Sequence, residues 1–351
     1  MRRRVGGRSS LIGVGIISGV RSDIKVISGD SKSAGEPAPL VSVVMPVYNS
    51  ERYLAEAIES ILGQTFTDFE FIIVDDASTD SSAEIALEYA RRDGRIRLLQ
   101  REINGGAADA RNSGIAVAEG EYIAAMDSDD VSLPARLEKQ VDLLRSKPDI
   151  GGVGTQGHVV KSDLTPSHDF EAPVHHALIA LSFFLRYGIL GATIMLRREY
   201  LSAVGGYQPG RRRVDDPDLL ARLLNNTQIR LVNLPDFLYL YRQYDRDPYP
   251  GGFAEERRLK LCHLSRLGIA EPEATLQRLE QLRPFHRLPW AERRRAKRDL
   301  MQIIDGMVAE GWVEPGDRTL LVAEMNRLLE QASPRIWQQF CHWRRRRFKR
   351  R

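Results

Sequence analysis

Three carboxylates fall within four positions at Asp127, Ser128, Asp129 and Asp130, directly after the apolar run YIAAM (122–126). Like charges this close repel one another and resist losing their water. Carboxylates at alternate positions can instead converge on one hard cation, and a Mg2+ or Mn2+ held there would share its coordination with phosphate oxygens. The plainer use of the same residues is a solvated acidic turn or helix cap. Position favours the cation reading, because the cluster ends a strand and other polar strand ends accompany it.

Asp76 ends a second apolar run, FEFIIVDD, and could accept hydrogen bonds from a nucleobase or ribose. Its neighbours Asp75 and Asp80 suit turn and helix capping. Pro46 to Asn49 would form a wall under a base, with Tyr48 as a packing partner; otherwise they make a strand-to-helix turn. The segment NGGAADARNSG (104–114) offers glycines for close backbone approach, a helix N-terminus for an anion, and one cation, Arg111. Arg111 could pair with a phosphate, fix the acidic loop, or lie on a plain surface helix.

These groups need a scaffold that brings distant positions together. From Leu40 onward, apolar runs alternate with stretches of helical periodicity: LVSVVMPVY, then SERYLAEAIESILGQT; FEFIIVDD, then DSSAEIALEYARRD; RIRLLQ, then ADARNSGIAVAEG; and EYIAAMD, then a helix from about Pro134 to Arg145. Such alternation predicts a parallel sheet covered by helices on both faces. Ligands gather outside the carboxyl ends of such strands, where PVYNS, DDASTD, NGG and DSDD all fall. Past Ile150 the pattern predicts a glycine-rich strand, a helix near His176 to Arg186, the strand ATIMLR, an acidic segment VDDPD opening a helix, and late strands IRLVNL and FLYLYRQ. Beyond Gly252 the chain reads as helical. The expected organisation is a disordered leader and linker over 1–39, a catalytic α/β domain over 40–250, a helical extension over 251–336 and a basic aromatic tail over 337–351.

Composition narrows the function classes. The 351 residues carry a net charge of +4, but the last eight, RRRRFKRR, contribute seven positive side chains, so the body is weakly acidic. That argues against a whole-domain nucleic-acid surface and against any specific nucleic-acid partner. Two cysteines, Cys262 and Cys341, lie far apart, which fits a reducing, cytoplasmic setting better than a disulfide framework. No run reaches the roughly 18 apolar residues of a membrane span. The N-terminal MRRRVGGRSS and LIGVGIISGV imitate a signal peptide without a convincing cleavage site. In the tail, Trp337, Phe340, Trp343 and Phe348 interleave with arginines, a composition suited either to an anionic membrane surface or to a solvated tail. The first of these would make the chain peripheral at the inner face of the membrane.

PVYNS, VDDASTD, NGGAADARNSG and DSDD, in this order and spacing, resemble the family 2 glycosyltransferases with a GT-A fold, over about residues 40 to 245. The resemblance implies a nucleotide-diphospho-sugar donor, a divalent metal (Mg2+ or Mn2+) and inversion at the anomeric carbon. By it, Pro46 and Asp76 match nucleotide-contact positions, Arg111 lies in the third motif, and Asp127 and Asp129 match the metal-binding pair, with Asp129 the direct ligand. VDDPD matches the later acidic motif, which makes Asp216 the general base and Asp215 the replacement for a frequent glutamate. Pro217 stands where an aromatic is frequent. The Q-x-x-R-W motif of processive synthases is absent, which implies a single addition to a glycan or lipid-linked acceptor. A sugar-nucleotide nucleotidyltransferase would want a glycine-rich, lysine-bearing loop after the first strand, and PVYNSERYL has neither. A further alternative is a nucleotide-sugar-binding protein at the membrane surface that does not turn over.

Overall fold

The computed structural model describes residues 24–28, 37–185, 188–210, 214–226, 229–243, 252–282 and 288–332. The basic tail and most of the leader lie outside these. Strands β1 (Ile24–Ser28), β2 (Val41–Val47), β3 (Phe69–Asp75), β4 (Ile96–Arg101) and β5 (Tyr122–Ala125) alternate from β2 onward with helices α1 (Leu54–Leu62), α2 (Ser82–Arg92) and α3 (Ala107–Val117). Then follow β6 (Val131–Ser132), α4 (Arg136–Ser146), β7 (Ile150–Val160), β8 (Pro166–Phe170), α5 (His176–Leu185), β9 (Met195–Arg197), α6 (Arg198–Ala203), α7 (Asp215–Leu224) and β10 (Arg230–Arg242). Four helices close the described chain: α8 (Gly252–Arg266), α9 (Pro272–Glu280), α10 (Trp290–Ala309) and α11 (Arg318–Gln331).

All ten strands belong to one mostly parallel sheet, ordered β1-β4-β3-β2-β5-β9-β7-β10-β6, with β8 paired to β7. The block β4-β3-β2-β5 is parallel throughout, and β2 is its centre: Val41 sits opposite Phe69 on one side and Tyr122 on the other. Because side chains alternate along a strand, a strand covered on both faces must be apolar at every position. β3 comes close: all seven residues are buried and five are apolar, while Glu70 is satisfied by Ser42 and Arg97 and Asp75 by the Ser78 N–H. Val43, Met45, Phe71 and Ile73 pack under α1, α2 and α4 on one face. Val44, Ile72 and Val74 face α3, α5 and α7 on the other. Close packing of α3 needs Gly114, where a Cβ would stand 2.6 Å from Val44 Cγ1.

The C-terminal helices do not build a separate core. Leu264, Leu276, Leu300, Ile303, Ile304 and Met325 join the same apolar cluster as α5 and α7. Phe183 and Phe184 of α5 meet His263 and Trp312 in a knot of rings with centroids 5.1 to 6.1 Å apart. His176 ties the seam. Its Nδ1 accepts from the Leu231 N–H (3.1 Å), so the neutral ring donates from Nε2 to the Trp312 carbonyl (2.9 Å).

Several elements differ from the sequence expectation. Ile24–Ser28, inside the expected disordered linker, pairs antiparallel with β4 at the sheet edge. IKVIS is rich in β-branched residues, and the free edge of β4 gives it a template. The two expected late strands are one, β10, whose register against β7 shifts around Asn233 to Leu240. The polar loop after β7 returns as β8, an exposed strand held by its ladder and by no apolar face of its own. Among the described residues no helix is long and apolar enough to cross a membrane.

Candidate active site

The carboxyl ends of β2, β3 and β5 are knitted together by their own loops. Asn49, just past β2, takes a left-handed backbone (φ 49°), and its side chain accepts from the Thr79 N–H at 2.8 Å. Ala77 is left-handed too (φ 59°), a conformation that β-carbon-bearing residues adopt only at a cost. Asp80 accepts from the Ser82 and Glu51 N–H groups, and Asp75 from Ser78, so both carboxylates shape turns as the sequence suggests. Ser50 and Ser128 share a hydroxyl contact of 2.7 Å, which joins the β2 loop to the DSDD turn. Above this floor Pro46 is partly buried at the end of β2, and Tyr48 keeps its ring exposed.

Arg111, buried in the first half of α3, is the centre of the site. Its Nη2 donates to Asp127 Oδ1 and its Nη1 to Asp215 Oδ2, each at 2.7 Å, while Asp216 Oδ1 lies 3.7 Å from Nη1. The guanidinium also sits over the Tyr207 ring, 5.2 Å from its centroid. Behind it lies a cavity of about 10 Å³, room for one water, lined by apolar residues such as Val44 and Ile194. One cation therefore gathers acids about ninety positions apart in the chain, from the end of β5 and from the first turn of α7. Of the three earlier readings of Arg111, fixing the acidic loop is the one that matches its contact with Asp127.

Asp216 is left as the open member of the group. Asp215 is spent on Arg111, whereas 36% of the Asp216 side chain remains solvent-accessible. Desolvation in the recess pushes its carboxyl up to about 7, with Arg111 pulling downward and Asp215 and Asp127 adding to the rise. Gly191 makes this location tenable, because a Cβ there would come within 2.2 Å of Asp216 Oδ2.

The DSDD turn has its own clamp. Arg242, buried at the end of β10, donates through Nε to the Asp129 carbonyl (2.7 Å) and through Nη2 to Glu56 (2.6 Å), and its N–H reaches Asp130 Oδ1 (2.7 Å). Its guanidinium lies 4.2 Å from the Tyr53 ring centroid. Arg136, fully buried, holds the β5 end from beneath through the Ala125 carbonyl (3.0 Å). Burial lowers it to about 10. Asp130 is buried with Oδ2 lacking a hydrogen bond, and desolvation together with Asp129 and Asp127 raises its carboxyl well above the usual range. Asp127 and Asp129 remain partly exposed on the turn.

Asp76 is arranged differently from the expectation. It is almost fully buried, and both its oxygens already accept within the protein, from Arg101, from the Gly105 N–H (3.1 Å) and from the Gly106 N–H (2.7 Å). It shapes the NGG loop and shares its carboxylate with a cation that sequence reasoning did not single out. Arg101, Arg242, Arg136 and Gly191 were all missed. Each is an ordinary residue at a strand, helix or turn boundary, and only the tertiary contact marks it. The turn at Gly205–Tyr207 is clamped by two bonds to Asn112, and Tyr207 supplies the ring over Arg111.

The sheet is parallel at its centre, and its strand ends close on a carboxylate cleft bridged by one buried arginine. The family model described as glycosyl transferase family 2 matches residues 42–212. The glycosyltransferase GlyG of Streptococcus pneumoniae serotype 4 is 34% identical over 216 residues, covering 58% of this chain and 71% of that protein. EpsE of Bacillus subtilis, named as a glycosyltransferase, is 38% identical over 216 residues, covering 60% and 75%. The crystal structure of S. aureus TarS 1-349 in complex with UDP-GlcNAc shares the fold, with a TM-score of 0.55 at 22% identity over 84% of this chain and 89% of that one. The chain belongs to glycosyltransferase family 2 and is a glycosyltransferase. Membership separates it from the nucleotidyltransferase alternative.

Proposed function

We propose that this enzyme moves a single sugar from a nucleotide-diphospho-sugar to a hydroxyl of a glycan or lipid-linked acceptor, with inversion, and that Asp216 is the general base. The observation that carries the proposal is the division of labour around Arg111: Asp127 and Asp215 bind the cation, and Asp216 stays open with a carboxyl near pH 7. A base matched to the working pH removes an acceptor proton efficiently. The structural relative's UDP-GlcNAc complex supports a nucleotide-sugar donor, and the names of relatives such as the teichuronic acid enzyme TuaG of Bacillus subtilis support an envelope polysaccharide as product.

On this reading the donor base rests against Pro46 and Tyr48 and meets the Asp76–Arg101 pair, which sets an acceptor beside a donor. The donor set fits Mg2+ or Mn2+: Asp129 and Asp127 offer hard oxygens on one turn, and the buried Asp130 Oδ2 has no hydrogen bond. Arg111 engages only one oxygen of Asp127. Among the described residues no three such side chains gather into a metal cluster, so a cation at this turn would need further ligands from phosphate and water. Bound there, the cation would offset charge growing on the departing diphosphate. Arg111 orients Asp127 and Asp215, while Asp216 takes the proton from the acceptor oxygen.

The test pairs two variants under donor hydrolysis, transfer and calorimetry. Asp216→Asn is expected to keep donor affinity and lose transfer by about a hundredfold to ten-thousandfold. Asp129→Ala is expected to lose Mn2+-dependent donor binding while remaining folded. Near-normal turnover in the first variant reassigns the base; unchanged Mn2+-dependent affinity in the second removes Asp129 as a ligand.

A further inference from the structure

Helix α10 carries a surface that the transfer reaction does not use. Between positions 290 and 298 the chain reads WAERRRAKR, five cations against the single acid Glu292. Trp290, Arg294, Lys297 and Arg298 recur at i, i+4, i+7 and i+8, which places them along one side of the helix. The opposite side is spent on the core, where Leu300, Ile303, Ile304 and Met307 are buried. The outer stripe is open: Arg294, Lys297 and Arg298 are exposed, and Trp290 shows 64% of its surface to solvent. The Arg294 guanidinium lies over the Trp290 ring, 4.8 Å from the centroid. Among the described residues, Arg295, at the margin of the stripe, is the one of these cations with a carboxylate partner, Glu292 at 2.8 Å.

We propose that this outer face of α10 docks on an anionic lipid surface. A bare indole is unfavourable in water and finds its best setting at the boundary of headgroups and acyl chains, apolar body inward and N–H outward. Arginine and lysine around it match the negative headgroups and can lay their aliphatic stems against the same boundary. A nucleic-acid groove would use the cations without needing an indole bared at the head of the same stripe. The end of the described chain adds continuity. The Ala332 carbonyl accepts from the Leu288 N–H at 3.3 Å, so the last described residue meets the chain two positions before Trp290, and the sequence that follows it is aromatic and basic. The proposal does not rest on the catalytic assignment, since none of these residues touches the cleft described above.

The experiment is vesicle co-sedimentation of the full chain, using phosphatidylcholine alone and phosphatidylcholine mixed with phosphatidylglycerol, at two salt concentrations. Two variants keep the C-terminal segment intact: Trp290→Ala, and the triple Arg294→Gln, Lys297→Gln, Arg298→Gln. All substituted side chains are exposed, so circular dichroism and melting should match the parent. The expected result is salt-sensitive binding to the phosphatidylglycerol vesicles only, weakened at least about tenfold by the triple variant and measurably by Trp290→Ala. Binding by both variants equal to the parent's overturns the proposal, as does equal binding to uncharged vesicles. A DNA duplex bound as tightly as the vesicles, and lost in the same variants, would also overturn it by making the face a general polyanion binder.

Discussion

At the scale of single residues, the site depends on one buried cation serving three acids. Removing Arg111 leaves Asp127, Asp215 and Asp216 facing one another without compensation. Arg111→Ala is therefore expected to destabilise the fold by about 3–5 kcal/mol, read as a fall in the urea midpoint. It should also move the acidic limb of the pH–rate profile above its parental position near 7, because the guanidinium is what pulls the Asp216 carboxyl down. Arg111→Lys keeps the charge but cannot span two carboxylates with one planar fork, so its limb should stay nearer the parent while turnover drops. The sign for Asp216 itself is plain: its folded value lies above the ordinary 3.8, so ionising it costs stability as pH rises through about 7. The open position that equips it for proton removal is thus a strained one, and Asp216→Asn should melt higher than the parent at pH 8.

At the scale of elements, the strand ends were legible and their clamps were not. Alternation of apolar runs with helical periodicity identifies β2 through α4, and each polar strand end carries turn chemistry that local sequence encodes. Asp127, Asp129 and Arg111 could be picked out because their loops read as loops. Arg242 could not: its partners are the Asp129 carbonyl and Glu56, and no local pattern joins positions 56, 129 and 242. β8 escaped for a related reason, since an edge strand with little apolar face borrows its conformation from its neighbour, and β1, though β-branched, is five residues long and takes its pairing from the edge of β4. The short 3₁₀ turn at Gly191–Thr193 illustrates how far this reaches. Gly191→Ala places a methyl group where the Asp216 carboxylate sits, so activity should collapse while the circular dichroism spectrum is kept. A variant with parental turnover would show that the turn yields.

At the scale of the whole molecule, the helical C-terminus and the catalytic sheet share one apolar cluster, and two histidines lie on the seam. His263 is buried beside Phe183 and Trp312, and burial pushes its ring down to about 4, with Arg266 adding to the effect. His176 shifts in the same direction, chiefly through burial. The unfolded chain takes up a proton near 6.5, so the stability held by a neutral His263 is present above that value and drains away between 6.5 and 4, up to about 3 kcal/mol. Urea midpoints should fall between pH 7 and 5, and His263→Phe should flatten that slope. None of this was readable beforehand, because a histidine in a helical, arginine-rich stretch looks like surface. The five residues of β1 carry the last lesson. They cap the one flank of the catalytic sheet where β4 would otherwise bare its peptide groups. An expression clone begun at Pro39, as the apparent linker invites, would hand its neighbours an open template for β-addition and should clump at concentrations the longer chain tolerates.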